Sequence, residues 1–434
     1  MAASKQSSAS IFDSEARKVS VTLVLVLTLA TIFLTSLAAQ AQTFNVLHTL
    51  NGGSDGSGAA NGLAIDREGN LYGTAYTGGI PNCPATPSGC GTVFRLSRHG
   101  SGWTFSVLYS FTGVSDGWWP QTIAVGPDGS LYGTTLLGGL NSCGFMDWGC
   151  GTLFRLQPPA TFCRSVSCPW RKTTLFQFGL VLDGAEPSQT VTFDQAGNIY
   201  GTTGRYGQNN GGTVWELAHS NGGWTFNVLY NQQLVTGETG LGVAFDAAGN
   251  LWDAGYGGNN LHCGDPYQPY WCGVIWELTP SASGWNENVV YSFSNTTGGS
   301  PSSNFIFDQA GNIYGTVADN GPAGNGGVFQ FNPSSGQYNL IYAAPGNVNV
   351  AYGPQGTPAM DQAGNLYAAD PANGAYDDGY VFKLTPLNGN WLFTDLHSFT
   401  GGSDGGAPYG PLVVDAQGNV YGANADNVIF EITP

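Results

Sequence analysis

The chain has 434 residues, of which 66 are glycine, 13% are aromatic and only 9% are charged. With 29 acidic residues against 12 basic ones, the net charge of −17 argues against nucleic acids and anionic membranes as partners, because both are bound through Lys and Arg patches. High glycine content with many aromatic and β-branched residues also excludes helix bundles and doubly wound α/β folds.

The N-terminal segment differs from the rest of the chain. Lys5, Arg17 and Lys18 form a basic region, residues 21–37 are uncharged and largely apolar, and the small-x-small sequence of residues 39–41 follows. This order is typical of a signal peptide that is cleaved after the small residues.

We therefore predict a signal peptide over residues 1–41 and a single mature domain over residues 42–434. The mature protein is expected to be secreted or periplasmic, free of the membrane, and monomeric. The alternative is an uncleaved signal anchor that tethers it to the membrane, because the apolar run is of borderline length for a span.

Seven copies of one phrase run along the mature chain. The first copy reads LAIDREGNLYGT over residues 63–74, with an Asp-x-x-Gly turn between two apolar runs. The aromatic residue of the phrase recurs at Tyr72, Tyr132, Tyr200, Trp252, Tyr314, Tyr367 and Tyr421. Such repetition indicates one structural unit that is stacked several times.

Each copy predicts four β-strands. In the first copy these are A at 63–65, B at 70–74, C at 91–96 and D at 103–111, and strand D alternates as a half-buried strand does. The seventh copy ends after strand C, and its missing fourth strand is found at residues 43–50. We therefore predict an all-β fold, a seven-bladed β-propeller of four-stranded blades closed by the N-terminal strand pairing with the last blade.

The wording of the repeat supports this prediction. Asp-x-x-Gly-Asn-Leu-Tyr-Gly-Thr, followed by Gly-Thr-Val-Phe-x-Leu and Leu-Tyr-Ser-Phe, resembles the GloVer tandem-repeat family of exported bacterial proteins. The resemblance covers essentially the whole mature chain. It implies a propeller-like repeat fold and export, and it supplies no catalytic residues.

Eight cysteines all lie in the predicted mature domain and none forms a CxxC motif. An even number of cysteines in an exported chain predicts disulfides rather than a zinc site. Because the cysteines fall into near neighbours, we expect local pairs: Cys83–Cys90, Cys143–Cys150, Cys163–Cys168 and Cys263–Cys272.

Two motifs suggest catalysis but are better explained as turns. The recurring Asp of Asp-x-x-Gly lies between two apolar runs, where Asp bonds the turn backbone and Gly supplies a positive φ. Gly-x-Ser-x-Gly at 52–56, 113–117 and 401–405 is followed by a strand, whereas a nucleophile elbow requires a helix. We predict no catalytic residue.

Histidines and loop carboxylates are the remaining candidate metal ligands. His48 and His397 occupy a strand-D column that other copies fill with Tyr or Phe, so we interpret them as packing residues. Single acids lie in Gly-rich loops at Asp55, Asp116, Asp183 and Asp404. They lack the dense spacing of a calcium loop, so we predict no cofactor, with calcium as the weaker alternative.

Loop length distinguishes the two faces of the predicted propeller. The D-to-A and B-to-C loops emerge on one face, called here the upper face, and the short A-to-B and C-to-D turns on the other. The B-to-C loops are long and variable, as binding loops on rigid scaffolds usually are. The upper-face aromatic residues that break the repeat are candidate ligand-binding residues: Trp118, Trp119, Trp148, Tyr267, Tyr270 and Trp271.

Two functions of different class remain. The favoured one is a non-catalytic binding or scaffold propeller whose upper face binds a neutral glycan or a peptide; packing of the aromatic rings on each other is the structural alternative. The second is an enzyme, a hydrolase or lyase acting on an extracellular glycan or similar polymer. A glycosidase would need a facing carboxylate pair, for which the loop acids Glu186 and Glu238 are available.

Overall fold

Apolar-polar alternation between Asp-x-x-Gly turns folds each repeat into an antiparallel sheet whose strands follow chain order. The computed structural model describes residues 42–433 except 60, 82, 85, 101, 140–142, 144–147, 160–168, 180–181, 188–189, 221–222, 234–240, 256–271, 283 and 347–351. Seven sheets form the unit from Phe44 to Thr433, which is a seven-bladed β-propeller.

The first four blades each begin with an inner strand A and end with an outer strand D. Blade 1 contains β2 (Leu63–Ile65), β3 (Leu71–Ala75), β4 (Thr92–His99) and β5 (Gly102–Ser110). Blade 2 contains β6 (Trp118–Val125), β7 (Leu131–Leu137), β8 (Thr152–Gln157) and β9 (Arg171–Gln177). Blade 3 contains β10 (Ala185–Pro187), β11 (Thr192–Phe193), β12 (Ile199–Arg205), β13 (Asn210–Ser220) and β14 (Gly223–Gln233). Blade 4 contains β15 (Ala244–Phe245), β16 (Leu251–Gly255), β17 (Val274–Ser281) and β18 (Gly284–Ser292).

The last three blades follow the same order, and strand A is split in two in blades 3 and 5. Blade 5 contains β19 (Gly299–Pro301), β20 (Ile306–Phe307), β21 (Ile313–Asp319), β22 (Gly327–Asn332) and β23 (Gln337–Ala343). Blade 6 contains β24 (Gln355–Met360), β25 (Leu366–Asp370), β26 (Tyr380–Leu387) and β27 (Asn390–Ser398). Blade 7 contains β28 (Val413–Val414), β29 (Val420–Ala423), β30 (Val428–Thr433) and β1 (Thr43–Thr49).

Closure of the ring by the N-terminal strand is confirmed. Strand β1 is the outer strand of blade 7 and pairs with β30, and the N–H of Leu50 donates to the carbonyl of Asn427 at 3.0 Å. In the described part of the chain the one helical element is a 3-10 turn at Val114–Asp116. No helix in that part is both long and apolar enough to traverse a bilayer.

The repeated Asp is a turn residue, as the sequence predicts. Asp66 accepts hydrogen bonds from the N–H of Asn70 at 2.8 Å and from the hydroxyl of Tyr72 at 2.9 Å. In blade 2, where Gly126 replaces this Asp, the carboxylate of Asp128 accepts the hydroxyl of Tyr132 at 3.3 Å instead. The turn acid therefore also anchors the buried aromatic residue of the repeat.

A side-chain contact between successive outer strands recurs at all seven junctions between blades. Five of these contacts are ring stacks, with centroid distances of 3.9, 3.8, 4.5, 5.1 and 3.9 Å: His48–Phe105, Phe176–Phe226, Tyr291–Tyr338, Tyr342–Phe393 and His397–Phe44. The histidines thus pack as the sequence predicts. Between blades 1 and 2 a lysine replaces the ring, with Lys172 Nζ 6.0 Å from the centre of Tyr109, and Tyr230 donates to Glu287 at 3.1 Å between blades 3 and 4.

A second junction recurs on the upper face. The residue before a strand-A proline has a left-handed φ at Trp119, Glu186, Ser300 and Ala407 (59°, 56°, 50° and 53°). The N–H of this residue donates to a main-chain carbonyl in the B-to-C loop of the preceding blade. The accepting carbonyls belong to Cys90, Cys150, Cys272 and Asp378 respectively. Because this unusual backbone recurs in four blades, it belongs to the scaffold and is not by itself the mark of a site.

Candidate functional site

The inner strands surround a cavity of about 360 Å³ in the central channel. Its walls come from residues within strand A or directly before it in blades 1 and 3 to 7: Asn61, Thr190, Leu241, Ser302, Ser303, Asn304, Gln355, Gly356, Thr357, Tyr409, Gly410 and Pro411. None of these side chains is charged. Amides and hydroxyls predominate, and Tyr409, 43% exposed, supplies an aromatic ring.

Side-chain to main-chain hydrogen bonds hold the cavity walls together across blade boundaries. Asn61 Nδ2 donates to the carbonyl of Pro120 at 3.2 Å, and Ser302 Oγ donates to that of Pro354 at 3.1 Å. The cavity is therefore formed by inner strands that are fixed to one another before any ligand arrives, which is the condition for a preorganised binding site.

A buried carboxyl supports the wall from behind. Asp253 is fully buried and accepts hydrogen bonds from the N–H of Gly242 at 3.3 Å and of Ala254 at 2.7 Å, next to the wall residue Leu241. Burial raises its pKa well above the usual value for Asp. Sequence reasoning missed this residue, although a signal exists: Asp253 occupies the position that Gly73 and its equivalents hold in other copies.

The structure gives the predicted aromatic residues different roles. Trp118 and Trp119 begin strand β6 and do not belong to a loop, and Trp118 is only 2% exposed. Trp118 packs on Trp119 (ring centres 4.7 Å apart) and on Trp148 (5.7 Å). Trp148 is 46% exposed. Trp118 thus packs against both of its neighbours, and ligand binding by Trp118, Trp119 and Trp148 stays a prediction.

Three further predicted residues, Tyr267, Tyr270 and Trp271, lie outside the described residues. Sequence reasoning overlooked other exposed aromatic residues: Tyr352, Tyr376 and Tyr409. All three lie in D-to-A or B-to-C segments and so on the upper face, and each breaks the repeat, which is the signal that could have identified them.

Disulfides close two described B-to-C loops. Cys83–Cys90 and Cys143–Cys150, both local pairs that the spacing predicts, have Cα atoms 5.5 and 5.2 Å apart. Cys272 is also disulfide-bonded. Cys163, Cys168 and Cys263 lie outside the described residues.

The loop acids considered as calcium ligands are bonded to protein groups. The carboxylate of Asp55 accepts a hydrogen bond from His48 Nε2 at 3.3 Å, and that of Asp404 accepts one from His397 Nε2 at 3.1 Å. Asp116 accepts the hydroxyl of Tyr109 at 2.9 Å and the ammonium of Lys172 at 2.6 Å. Burial raises the pKa of Asp183. Within the described residues there is no group of three or more candidate metal ligands.

Fold and cavity define the class of protein: a disulfide-containing seven-bladed propeller with an uncharged polar cavity in its central channel. The chain belongs to the Gloeobacter/Verrucomicrobia repeat family, whose model matches residues 29–168, 86–305 and 264–434. No curated protein matches the sequence.

Solved structures are similar at the level of the fold. The extracellular domain of a B. thetaiotaomicron protein assigned to the one-component systems is 10% identical, with a TM-score of 0.55 over 90% of this chain and 39% of that chain. A GH74 xyloglucanase from Xanthomonas campestris is 15% identical, with a TM-score of 0.49 over 89% and 53%. A Trichoderma reesei protein of carbohydrate-active enzyme family AA12 is 14% identical, with a TM-score of 0.41 over 91% and 96%.

Proposed function

We propose that the chain is an exported, non-catalytic propeller that binds a neutral glycan in the cavity of its central channel. The observation that carries the proposal is the wall chemistry, in which twelve lining residues include no charged side chain and one exposed tyrosine. Amides and hydroxyls pair with sugar hydroxyls, and an aromatic ring packs against a sugar face.

Neutrality of the ligand is supported by charge. An anionic ligand would meet a chain of net charge −17 and, within the described lining, no cation to pair with. Glycosidases require a carboxylate pair, which the described lining does not supply, so binding is proposed rather than cleavage. Export is supported by the disulfides and by the predicted signal peptide.

The test uses the protein from residue 42 onward on a panel of neutral and acidic glycans and of peptides, with hits measured by calorimetry. Tyr409→Ala should weaken binding of a neutral glycan about tenfold, which corresponds to about 1.4 kcal/mol. The control is Tyr376→Ala, which removes an upper-face tyrosine that is 60% exposed and does not line the cavity.

Both variants should keep a melting temperature within a few degrees of the parent, because neither tyrosine is a buried core residue. Binding of acidic glycans or peptides alone, or equal affinity of Tyr409→Ala and the parent, would contradict the proposal. Release of shortened sugars during the assay would show that the protein is an enzyme.

A further inference from the structure

Two pairs of side chains from three successive blades lie on the upper rim. Tyr76, which follows β3, stacks on Trp119 with ring centres 4.8 Å apart and planes 19° apart. Arg205 Nε donates to Glu186 Oε2 at 3.0 Å. Trp119 and Glu186 occupy equivalent positions in the adjacent blades 2 and 3, each directly before a strand-A proline with a left-handed φ. The ion pair of blade 3 therefore follows the aromatic pair around the rim, and burial and then the Glu186 carboxylate raise the pKa of Tyr76.

The backbone under this rim cluster is fixed by the disulfide loops. The N–H of Trp119 donates to the main-chain carbonyl of Cys90 at 3.2 Å, and the N–H of Glu186 donates to the main-chain carbonyl of Cys150 at 3.1 Å. Each acceptor is the second cysteine of a disulfide pair. Side chains on such a backbone lose little freedom when a ligand binds, which favours affinity.

The rim cluster retains unused hydrogen-bonding capacity. Trp119 Nε1 is buried and has no hydrogen-bond partner among the described residues. The Arg205 side chain is 67% exposed, and its contact with Glu186 uses one of the five guanidinium N–H groups. Four guanidinium donors and a 32% exposed carboxylate therefore face solvent beside an aromatic pair.

This combination fits a neutral sugar. Adjacent sugar hydroxyls can donate to Glu186 and accept from Arg205, while the sugar's apolar face packs on a ring. An anionic group would be attracted by Arg205 but repelled by Glu186. A cationic group would be attracted by Glu186 but repelled by Arg205. The ion pair therefore favours a ligand of no net charge.

The rim cluster is continuous with the cavity wall. Asn61, a wall residue, donates to the carbonyl of Pro120, which directly follows Trp119. Thr190, another wall residue, lies four positions after Glu186 on the same inner segment of blade 3. The cavity wall and the rim cluster are therefore connected through the inner strands of blades 2 and 3.

We propose that Tyr76, Trp119, Glu186 and Arg205 form a second sugar subsite, so that the ligand is a neutral oligosaccharide that occupies the cavity and the rim together. The proposal rests on the proposed function, because it requires a neutral glycan in the cavity.

The experiment measures the affinity of neutral disaccharides and hexasaccharides, prepared from β-glucan, mannan, xylan and galactan, by calorimetry. The parent should bind the hexasaccharide of one series at least about tenfold more tightly than the disaccharide. Arg205→Met and Tyr76→Leu should each remove most of this advantage while disaccharide affinity stays within about twofold. Arg98→Met, which removes an exposed arginine near the lower C-to-D turn of blade 1, is the control and should change neither affinity.

Arg205 is the decisive position, because its exposed side chain can be replaced without disturbing the core, and melting temperatures check that each variant is folded. Equal loss of disaccharide and hexasaccharide affinity, or hexasaccharide affinity unchanged in Arg205→Met, would overturn the rim subsite and leave the proposed function standing. Failure of every neutral oligosaccharide to bind the parent would overturn both.

Discussion

Replacing Asp116 with asparagine is expected to destabilise the propeller far more than replacing its partner Lys172 with methionine. The Lys172 side chain is only 5% exposed, and its Nζ lies 5.5–6.0 Å from the ring centres of Tyr109, Phe111 and Phe154. Burial, partly offset by Asp116, lowers the pKa of Lys172. The ammonium therefore depends on this one carboxylate for its counter-charge.

The two partners are not equivalent. Without Asp116's charge, Lys172 keeps only neutral acceptors, the main-chain carbonyl of residue 116 at 2.6 Å and Thr174 Oγ1 at 3.0 Å. A buried charge that loses its partner costs about 3–5 kcal/mol. Without Lys172, Asp116 still accepts the hydroxyl of Tyr109 and the N–H of Thr112 at 2.8 Å, and methionine refills the aromatic surroundings. We therefore expect Lys172→Met to change stability by less than about 1.5 kcal/mol.

Urea unfolding of the two single variants and the double variant measures these differences in stability, provided that the free energy of unfolding depends on urea concentration with the same slope in each. The double variant should recover most of the stability lost in Asp116→Asn, because its buried charge is gone. Equal losses in the two single variants, or a double variant no more stable than Asp116→Asn, would refute the reasoning.

Three other predictions follow from the fold. Deleting residues 42–50 removes β1, and the melting temperature should fall by about 10 °C or more; a melting curve like that of the parent would disprove closure by this strand. Gly91→Ala should lower the free energy of unfolding by about 3 kcal/mol, because φ is +97° and the new Cβ would lie 2.5 Å from Pro120 Cδ. Gly69→Ala, where φ is +81° and the space is open, should lower it by about 1 kcal/mol. Chemical denaturation of the two variants measures the difference. Burial raises the pKa of Asp361, but hydrogen bonds from its turn outweigh this effect and lower the pKa overall. The contribution of Asp361 to folding stability is therefore present above the unfolded pKa near 3.9 and is lost as pH falls through the folded pKa. Asp361→Asn should therefore flatten the loss of stability below about pH 4, and an unaltered acid limb in pH-dependent unfolding would count against this assignment.

The architecture was predictable because the repeat carries it. Each Asp-x-x-Gly turn and the aromatic residue after it serve one local purpose in every copy, so comparing the copies locates strands A to D and the displaced strand β1. The packing of His48 and His397 was likewise readable from the Tyr and Phe residues that share their column.

The candidate site was less predictable because it is made where the copies differ. Asn61, Thr190 and Tyr409 come together only when the inner strands converge on one axis, and no spacing in the sequence encodes that distance. Trp118 and Trp119 are adjacent in sequence, yet one is buried and the other lies on the rim, because successive side chains of a strand point to opposite sides. Contacts at blade junctions, such as that of Lys172 with Asp116, form only when neighbouring blades pack against each other.

Strand β1 is the first strand of the propeller to be synthesised, and its partner β30 is the last. Until the end of the seventh copy is synthesised, β1 has an unpaired edge, and such edges promote association with other chains. A translation product that stops in any earlier copy lacks β30 and cannot close the circle. The position of this one strand thus makes synthesis of the seventh copy a condition for the native state, and an open strand edge distinguishes every shorter chain from the closed propeller.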